Sequence, residues 1–412
     1  MTTLDNDQKN NIELLSPAGD MERLRAAINF GADAVYLGGK RFGMRTSSSN
    51  FTMCELEKAC KMCHSKGIKV YLTCNTLPQN NEIDELPEFL LNAASAGVDA
   101  FIISDLGVLS IAKKVAPQVD VHASTQTGVV NYMTARYLWE LGAKRIVLAR
   151  ELSLSEIATI RAKTDPKLEL EAFVHGAMCV SFSGRCLISS YLTGRDANRG
   201  NCSQPCRWKY SLMEEKREGE YFPIMENRSG TYFFNSKDMC MIEHVPELIK
   251  AGITSMKIEG RAKSAYYVAV TTNAYKHALN GFMSSKDYKL EPWIKEEVYK
   301  VSHRKYSTGF YFGHEPGQFY ESGGYEQKSM VVAVCEDYQN GMAQISQRNK
   351  FFEGDNLEVL EPKSKPFKIK VEKIFDEFGN RVKSTPHPAQ KLFIPTTVPI
   401  KPNAFIRKIT KY

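Results

Sequence analysis

Five of the ten cysteines in this 412-residue chain, Cys179, Cys186, Cys202, Cys206 and Cys240, fall within 62 residues. Thiols clustered in this way point to metal or redox chemistry in a reducing compartment, where disulfides do not persist. The polar start, Met1-Thr-Thr-Leu-Asp-Asn-Asp-Gln-Lys-Asn, has no apolar signal core, so a cytoplasmic protein is expected. Successive gaps are six, fifteen, three and thirty-three residues, and only Cys202 and Cys206 have the spacing of a zinc knuckle. Widely spaced thiolates beside small residues, here Gly184, Gly194 and Gly200, can instead wrap an iron–sulfur cluster. Zinc and buried free thiols stay open as alternatives. Cys60 and Cys63, with Cys54 and Cys74 nearby, are a tempting second site. The pair lies in a helical pattern, where cysteine more often packs as a small hydrophobe.

Whatever these thiols hold must be positioned by the rest of the chain. The first 150 residues repeat one phrase: a helical pattern ended by glycine, then a short apolar run rich in Val, Ile and Tyr. It occurs at 29–38, 66–73, 96–104 and 141–149. Glycine suits the left-handed position after a helix, and such runs suit strands buried on both faces. Segments 12–15, 119–122 and 168–174 read as further strands, and 254–260 supplies an eighth. Alternation of this kind predicts an α/β fold, a (β/α)8 TIM-barrel-like N-terminal domain over residues 1–325. A doubly wound open sheet is the alternative, disfavoured because no Gly-rich dinucleotide fingerprint follows the first strand. The cysteine-rich insertion, about 175–253, leaves the seventh strand toward the face where barrels do chemistry. From 326 to 412 the pattern changes to short alternating strands separated by Asn-Gly, Gly-Asp and Gly-Asn turns, which predicts a small all-β barrel. Cys335 falls in one of those strands and is expected in its core.

The segment Glu171-Ala-Phe-Val-His-Gly-Ala-Met-Cys, with six residues to Cys186 and then Leu-Ile-Ser, resembles the signature of peptidase family U32, the collagenase-like family. The similarity extends over the whole chain, through Glu13-Leu-Leu-Ser-Pro-Ala-Gly-Asp, Met256-Lys-Ile-Glu-Gly-Arg-Ala-Lys-Ser and Ser302-His-Arg-Lys-Tyr-Ser-Thr-Gly-Phe. The resemblance implies a 4Fe-4S cluster on Cys179, Cys186, Cys202 and Cys240, with Cys206 as an alternative ligand. For the long-tailed members it implies prephenate-dependent hydroxylation of the tRNA wobble uridine to 5-hydroxyuridine. Three rivals stand beside that reading: a collagenase-like peptidase, a ribosomal-RNA hydroxylation factor, and a noncatalytic cluster-bearing subunit with a paralogous U32 partner. For the peptidase, no oriented nucleophile–base pair is legible around Ser183 and His175, and no zincin motif occurs.

A dicarboxylate such as prephenate needs cationic clamps, and arginine forks match carboxylates best. Residues at predicted C-terminal strand ends are therefore the candidates. His175, Lys257, Glu259 and Arg261 are expected to be catalytic; Arg45, Asn75, His122, Gln126 and Arg150 are expected to bind substrate. Each could equally shape a loop. Glu13 and Asp20 are read as structural, Asp20 as a helix cap.

With 43% hydrophobic and 25% charged residues, the composition excludes disordered and collagen-like classes. No apolar run reaches the ~18 residues of a membrane helix. The net charge is +7, and residues 328–412 hold 15 Lys/Arg against 9 Asp/Glu, a surplus of six. Lys363, Lys365, Lys368, Lys370 and Lys373, interleaved with Phe367, make the tail a candidate for RNA phosphates, those of the tRNA anticodon loop in the resemblance. A merely solvated strand face is the blander reading.

Overall fold

The computed structural model describes residues 12–44, 49–179, 188–195, 197, 200–208, 212–213, 221–222, 226–227, 230–231, 237–285, 287–313 and 325–410. Eight parallel strands close into a barrel: β1 (Glu13–Pro17), β2 (Ala34–Gly38), β3 (Lys69–Cys74), β4 (Ala100–Ile103), β5 (Asp120–Ala123), β6 (Arg145–Val147), β7 (Glu169–Ala177) and β8 (Ser255–Ile258). Sequential neighbours pair throughout, and β8 completes the ring by pairing with both β7 and β1.

Local chemistry sets the helices between them. Asp20 caps α1 (Met21–Phe30) by accepting from Arg23 N, and Gly31, at φ 109°, ends it. Thr52 with Glu55, and Ser153 with Glu156, form capping boxes on α2 (Met53–His64) and on a later helix, Leu154–Ala162. Each such cap contributes about 1 kcal/mol. Cys60 and Cys63 lie buried on the inner face of α2, and burial pushes both thiols up to about 12, as core packing requires.

Strand alternation sorts the side chains. Leu14, Val35, Val70, Phe101 and Met256 point outward under the helices, while Leu15, Tyr36, Tyr71, Ala100 and Ile102 fill the lumen. Charged residues occupy the lower lumen. Arg145 Nη1 donates to Glu13 Oε1 (2.5 Å) and Glu171 Oε2 (3.0 Å), and its Nε donates to Glu169 (2.7 Å). Tyr71 and Ser255 hydroxyls complete the shell of Glu13, and Lys257 Nζ lies 2.8 Å from Glu171 Oε1. Burial alone would raise the Glu13 carboxyl. The Arg145 charge and the hydrogen bonds from Arg145, Tyr71 and Ser255 outweigh it and hold the pKa below its ordinary value.

Within the insertion, a short strand, Asp238–Cys240, runs antiparallel to the end of β7, pairing Asp238 with Ala177 and Cys240 with His175. Beyond β8 the long helix α3 (Ala265–Ser284) packs on α1. The remaining described chain forms a curled antiparallel sheet from Ser329–Gln339 to Phe405–Ile409 around Val332, Ile345, Phe351, Val359, Leu392 and Ile406, with Cys335 buried among them. Its first hairpin turns at Asn340 and Gly341, both at positive φ, as an Asn-Gly hairpin demands. Arg407, fully buried, fastens this sheet to the barrel side by donating to Glu297 (2.6 Å), Glu358 (2.7 Å) and the Tyr266 hydroxyl on α3 (2.8 Å). No helix among the described residues is long and apolar enough to cross a membrane.

Candidate active site at the barrel mouth

Six of the sequence candidates converge. Asn75, Gln126, Arg150, Lys257, Glu259 and Arg261 line one cavity of about 60 Å³ at the C-terminal ends of the strands, with Tyr36, Thr73, Ser124 and Phe173. They come from four different strand ends, those of β3, β5, β6 and β8, so only barrel closure brings them together. Arg261, 3% exposed, leaves the turn after β8 and crosses the mouth to donate through Nη1 to Thr73 Oγ1 (2.9 Å) on β3. Glycines make that crossing feasible. A Cβ on Gly38 would stand 2.5 Å from Arg261 Nη1, and one on Gly19 would stand 2.1 Å from its carbonyl oxygen. Arg150 lies over the Phe173 ring (4.3 Å) and donates Nη1 to Ala177 O (2.9 Å). Its buried Nε has no hydrogen-bond partner among the described residues. Lys257 sits deepest, between Glu171 and the faces of Tyr36 (4.6 Å) and Phe173 (5.4 Å). Glu259 accepts from the Tyr36 hydroxyl at 3.3 Å.

Asn75 and Gln126 shape the rim. Asn75 Oδ1 accepts from Met44 N (3.1 Å), and Gln126 rides a one-turn 3-10 helix, Thr125–Thr127, after β5. Two guanidinium groups and one ammonium against a single carboxylate in the cavity itself make it suited to an anionic ligand.

Two histidines lie elsewhere. His122 points into the lumen at a different cavity, with Lys69, Tyr71, Asp120, Lys144, Arg145 and Glu169, edge-on to Tyr71. Burial, with Arg145 and Lys257 nearby, holds its pKa well below the ordinary value, so it is neutral. His175 turns outward. The pairing of β7 with β8 slips between Lys257 and Ile258, so His175 shares the outer face with Ile258 rather than the lumen with Phe173. There it meets Tyr275 (Nδ1, 3.4 Å) and Tyr306 (Nε2, 3.3 Å), and burial pushes its pKa to about 3. Arg45 lies outside the described residues.

Among the thiols, Cys179 is exposed two residues beyond β7, while Cys202, Cys206 and Cys240 are half-buried. Cys202 Sγ accepts from Gln204 N at 3.3 Å. Ser203 joins Ser189 and Thr193 hydroxyls, both at 3.0 Å, tying the Cys202 segment to the helix Ile188–Thr193. Cys240 lies on the other side, with Tyr275 Oη 4.0 Å from its sulfur, and burial pushes its thiol up to about 12. Cys186 is outside the described residues. Thiols are the right donors for an iron–sulfur cluster. Among the described residues no three Cys, His, Asp or Glu stand close enough to hold a metal ion.

Sequence reasoning overlooked Glu171, Tyr36 and Thr73 as functional positions. Glu171 opens the quoted motif, and its parity with Phe173 places both on the lumen face. A carboxylate between Leu170 and Ala172 in a strand buried over most of its length was the available signal.

Comparison with known sequences agrees with this architecture. The family profile described as Peptidase family U32 matches residues 19–319, and that of the Peptidase family U32 C-terminal domain matches residues 327–407. The tRNA hydroxylation protein P1 of Bacillus subtilis is 35% identical over 403 residues, covering 96% of this chain and 94% of that protein. The 23S rRNA 5-hydroxycytidine synthase of Escherichia coli is 33% identical over 363 residues, covering 85% of this chain and 52% of that protein. A collagenase of Porphyromonas gingivalis is 31% identical over 419 residues, covering 98% and 99%.

Proposed function

The chain belongs to peptidase family U32, and from that premise we propose that it hydroxylates RNA. The substrate in this reading is the tRNA wobble uridine, converted to 5-hydroxyuridine with prephenate as co-substrate. Relatives named for hydroxylation of tRNA and of ribosomal RNA support the reaction class. The observation that carries the reading is the cation-lined mouth. The cavity, about 60 Å³ and lined by three cations and one carboxylate, suits a carboxylate with its neighbouring atoms. Arg150, Lys257 and Arg261 there would bind and orient one end of a small dicarboxylate, while the uridine stays above it.

The thiols Cys179, Cys186 and Cys240, with Cys202 or Cys206, would hold a 4Fe-4S cluster, which supplies one-electron chemistry when bound. RNA would be held by phosphate contacts from the tail. Lys368 and Lys370 are exposed on the edge strand Phe367–Lys370, alternating with half-buried Phe367 and Ile369, and Lys363, Lys365 and Lys373 are exposed beside it. An anticodon-loop uridine is already largely unstacked, which lowers the cost of presenting it.

Nucleoside mass spectrometry of tRNA tests this directly, using a strain lacking the gene and grown without oxygen. The expected result is loss of 5-hydroxyuridine, restored by the intact gene but not by Cys179→Ala. Unchanged tRNA in a strain with no second copy would sink the wobble-uridine reading. Ribosomal RNA and gelatin cleavage would then be examined in turn.

A further inference from the structure

Lys257 differs from the other two cations of the mouth in one chemical respect. Arg150 and Arg261 keep their protons, whereas an amine can release one and become a nucleophile. A site that needed only charge for a carboxylate would be served by guanidinium forks, and two are already present. The lysine is also closely placed. It is 4% exposed, lines the cavity, and holds Nζ 2.8 Å from Glu171 Oε1. Glu171 has countercharge without it, because its Oε2 accepts from Arg145 (3.0 Å) and Ser255 (3.1 Å). Its Oε1 is therefore available as a proton acceptor facing the amine.

From this placement, and resting on the carboxylate-binding reading above, we infer that Lys257 forms an imine with the ketone of a 2-oxo carboxylate seated in the mouth. Prephenate carries such a group in its pyruvyl arm. Glu171 takes one proton from the ammonium, and the freed Nζ electron pair forms the C–N bond as the carbonyl π pair moves to oxygen. Nitrogen then loses a proton and oxygen gains one, giving the carbinolamine. Glu171 returns its proton to that hydroxyl, the C–O bond breaks, and water leaves through the mouth. The iminium carries the single positive charge the ammonium had, so its pairing with Glu171 persists, and no oxidant or reductant is consumed. Arg150 stands in the same cavity, its buried Nε without a hydrogen-bond partner among the described residues, to receive the adjacent carboxylate. The small volume takes the planar oxo-carboxylate head and leaves the rest of the ligand at the opening.

Reductive trapping tests the step on the purified full-length protein. The protein is incubated with prephenate, or with pyruvate as the smallest probe, together with sodium cyanoborohydride. Intact mass and peptide mapping follow, and thermal shift with prephenate is measured in parallel without the reductant. One reduced adduct per chain is expected, mapped to Lys257 and lost in Lys257→Arg, whose folding is checked by circular dichroism. Glu171→Gln should slow trapping by about 100-fold, the scale of a positioned acid–base group. If Lys257→Arg fails to fold, the peptide map of the unaltered protein decides. Adducts spread over other lysines and undiminished in Lys257→Arg would overturn the inference. No adduct, but a prephenate-induced rise in Tm, overturns the imine and leaves a noncovalent carboxylate site. No adduct and no shift removes both.

Discussion

The lower lumen of the barrel and its mouth are built from the same kinds of side chain and put them to opposite use. Below, every donor group of Arg145 has a protein partner: Glu13, Glu169, Glu171 and Ser255 surround it, and Tyr71 seals the shell. Above, Arg150 is anchored to the Ala177 carbonyl, while its Nε has no hydrogen-bond partner among the described residues. Closed networks fix a fold, and open ones keep valence for a ligand. Lys257 belongs to both layers, with its ammonium in the lower network and its position on the cavity wall.

The largest expected effect breaks the lower layer. Arg145→Ala leaves Glu13, Glu169 and Glu171 facing one another, with Lys257 still paired to Glu171 and Lys144 near Glu169. Removing one partner of a buried ion network costs about 3–5 kcal/mol, because the stranded charges stay desolvated. Urea unfolding should show that loss. A change below about 1 kcal/mol would mean that the lower layer is as open to solvent as the mouth, and the contrast would fail.

At the mouth the same kind of truncation should move binding instead. Arg150→Ala removes one charged hydrogen bond to a backbone carbonyl and its stacking on Phe173, about 2 kcal/mol of stability in total, still below the loss expected at Arg145. A charge-assisted contact to a carboxylate is worth about 1.5–3 kcal/mol, so prephenate affinity should fall by roughly 10- to 150-fold in titration calorimetry. A stability loss as large as that of Arg145→Ala, with affinity unchanged, would erase the distinction between the two layers.

How much of this was legible beforehand divides along the same line. The Gly-ended helices, the caps at Asp20, Thr52 and Ser153, and the Asn340-Gly341 hairpin are local signals. Each reports backbone chemistry within a few residues, and the barrel follows from their order. Convergence of Asn75, Arg150, Lys257 and Arg261 was also accessible, since barrel strands all end at one face. What periodicity could not supply was a slip in register. Alternation along β7 puts His175 in the lumen with Phe173, and the irregularity opposite Lys257 turns it out to Tyr275 and Tyr306. For His122 the alternation held, but depth along the strand did not, because a four-residue strand gives little measure of which layer a side chain reaches. Glu171 was quoted as a motif letter, while its role depends on Arg145 and Lys257, distant in sequence by 26 and 86 residues.

Acid should loosen the lower layer first. The Glu13 pKa is lower folded than unfolded, so its contribution is complete above the ordinary carboxylate range and is lost as pH falls through that range toward the folded value. Unfolding free energies measured from neutral pH to about pH 3 should therefore drop more steeply in the natural chain than in Glu13→Gln. Coincident profiles would show that Arg145 does not discriminate between the charged and neutral Glu13 carboxyl, and the closed-network account of the lower layer would fail.

The smallest effect comes from Gly38, and it probes the mouth without touching a charge. A methyl there would stand 2.5 Å from Arg261 Nη1 and 3.0 Å from Asn50 Oδ1, so the guanidinium must shift off Thr73. The obstructed atoms lie at the tip of a long side chain, so Gly38→Ala should cost less than about 1 kcal/mol in unfolding. Displacing a carboxylate-facing fork by even a fraction of an ångström weakens a directional bond, and a fall of about 3- to 10-fold in prephenate affinity is expected. A Gly38→Ala protein that binds as tightly as the parent would place Arg261 with the closed, structural cations, leaving Arg150 and Lys257 as the open pair.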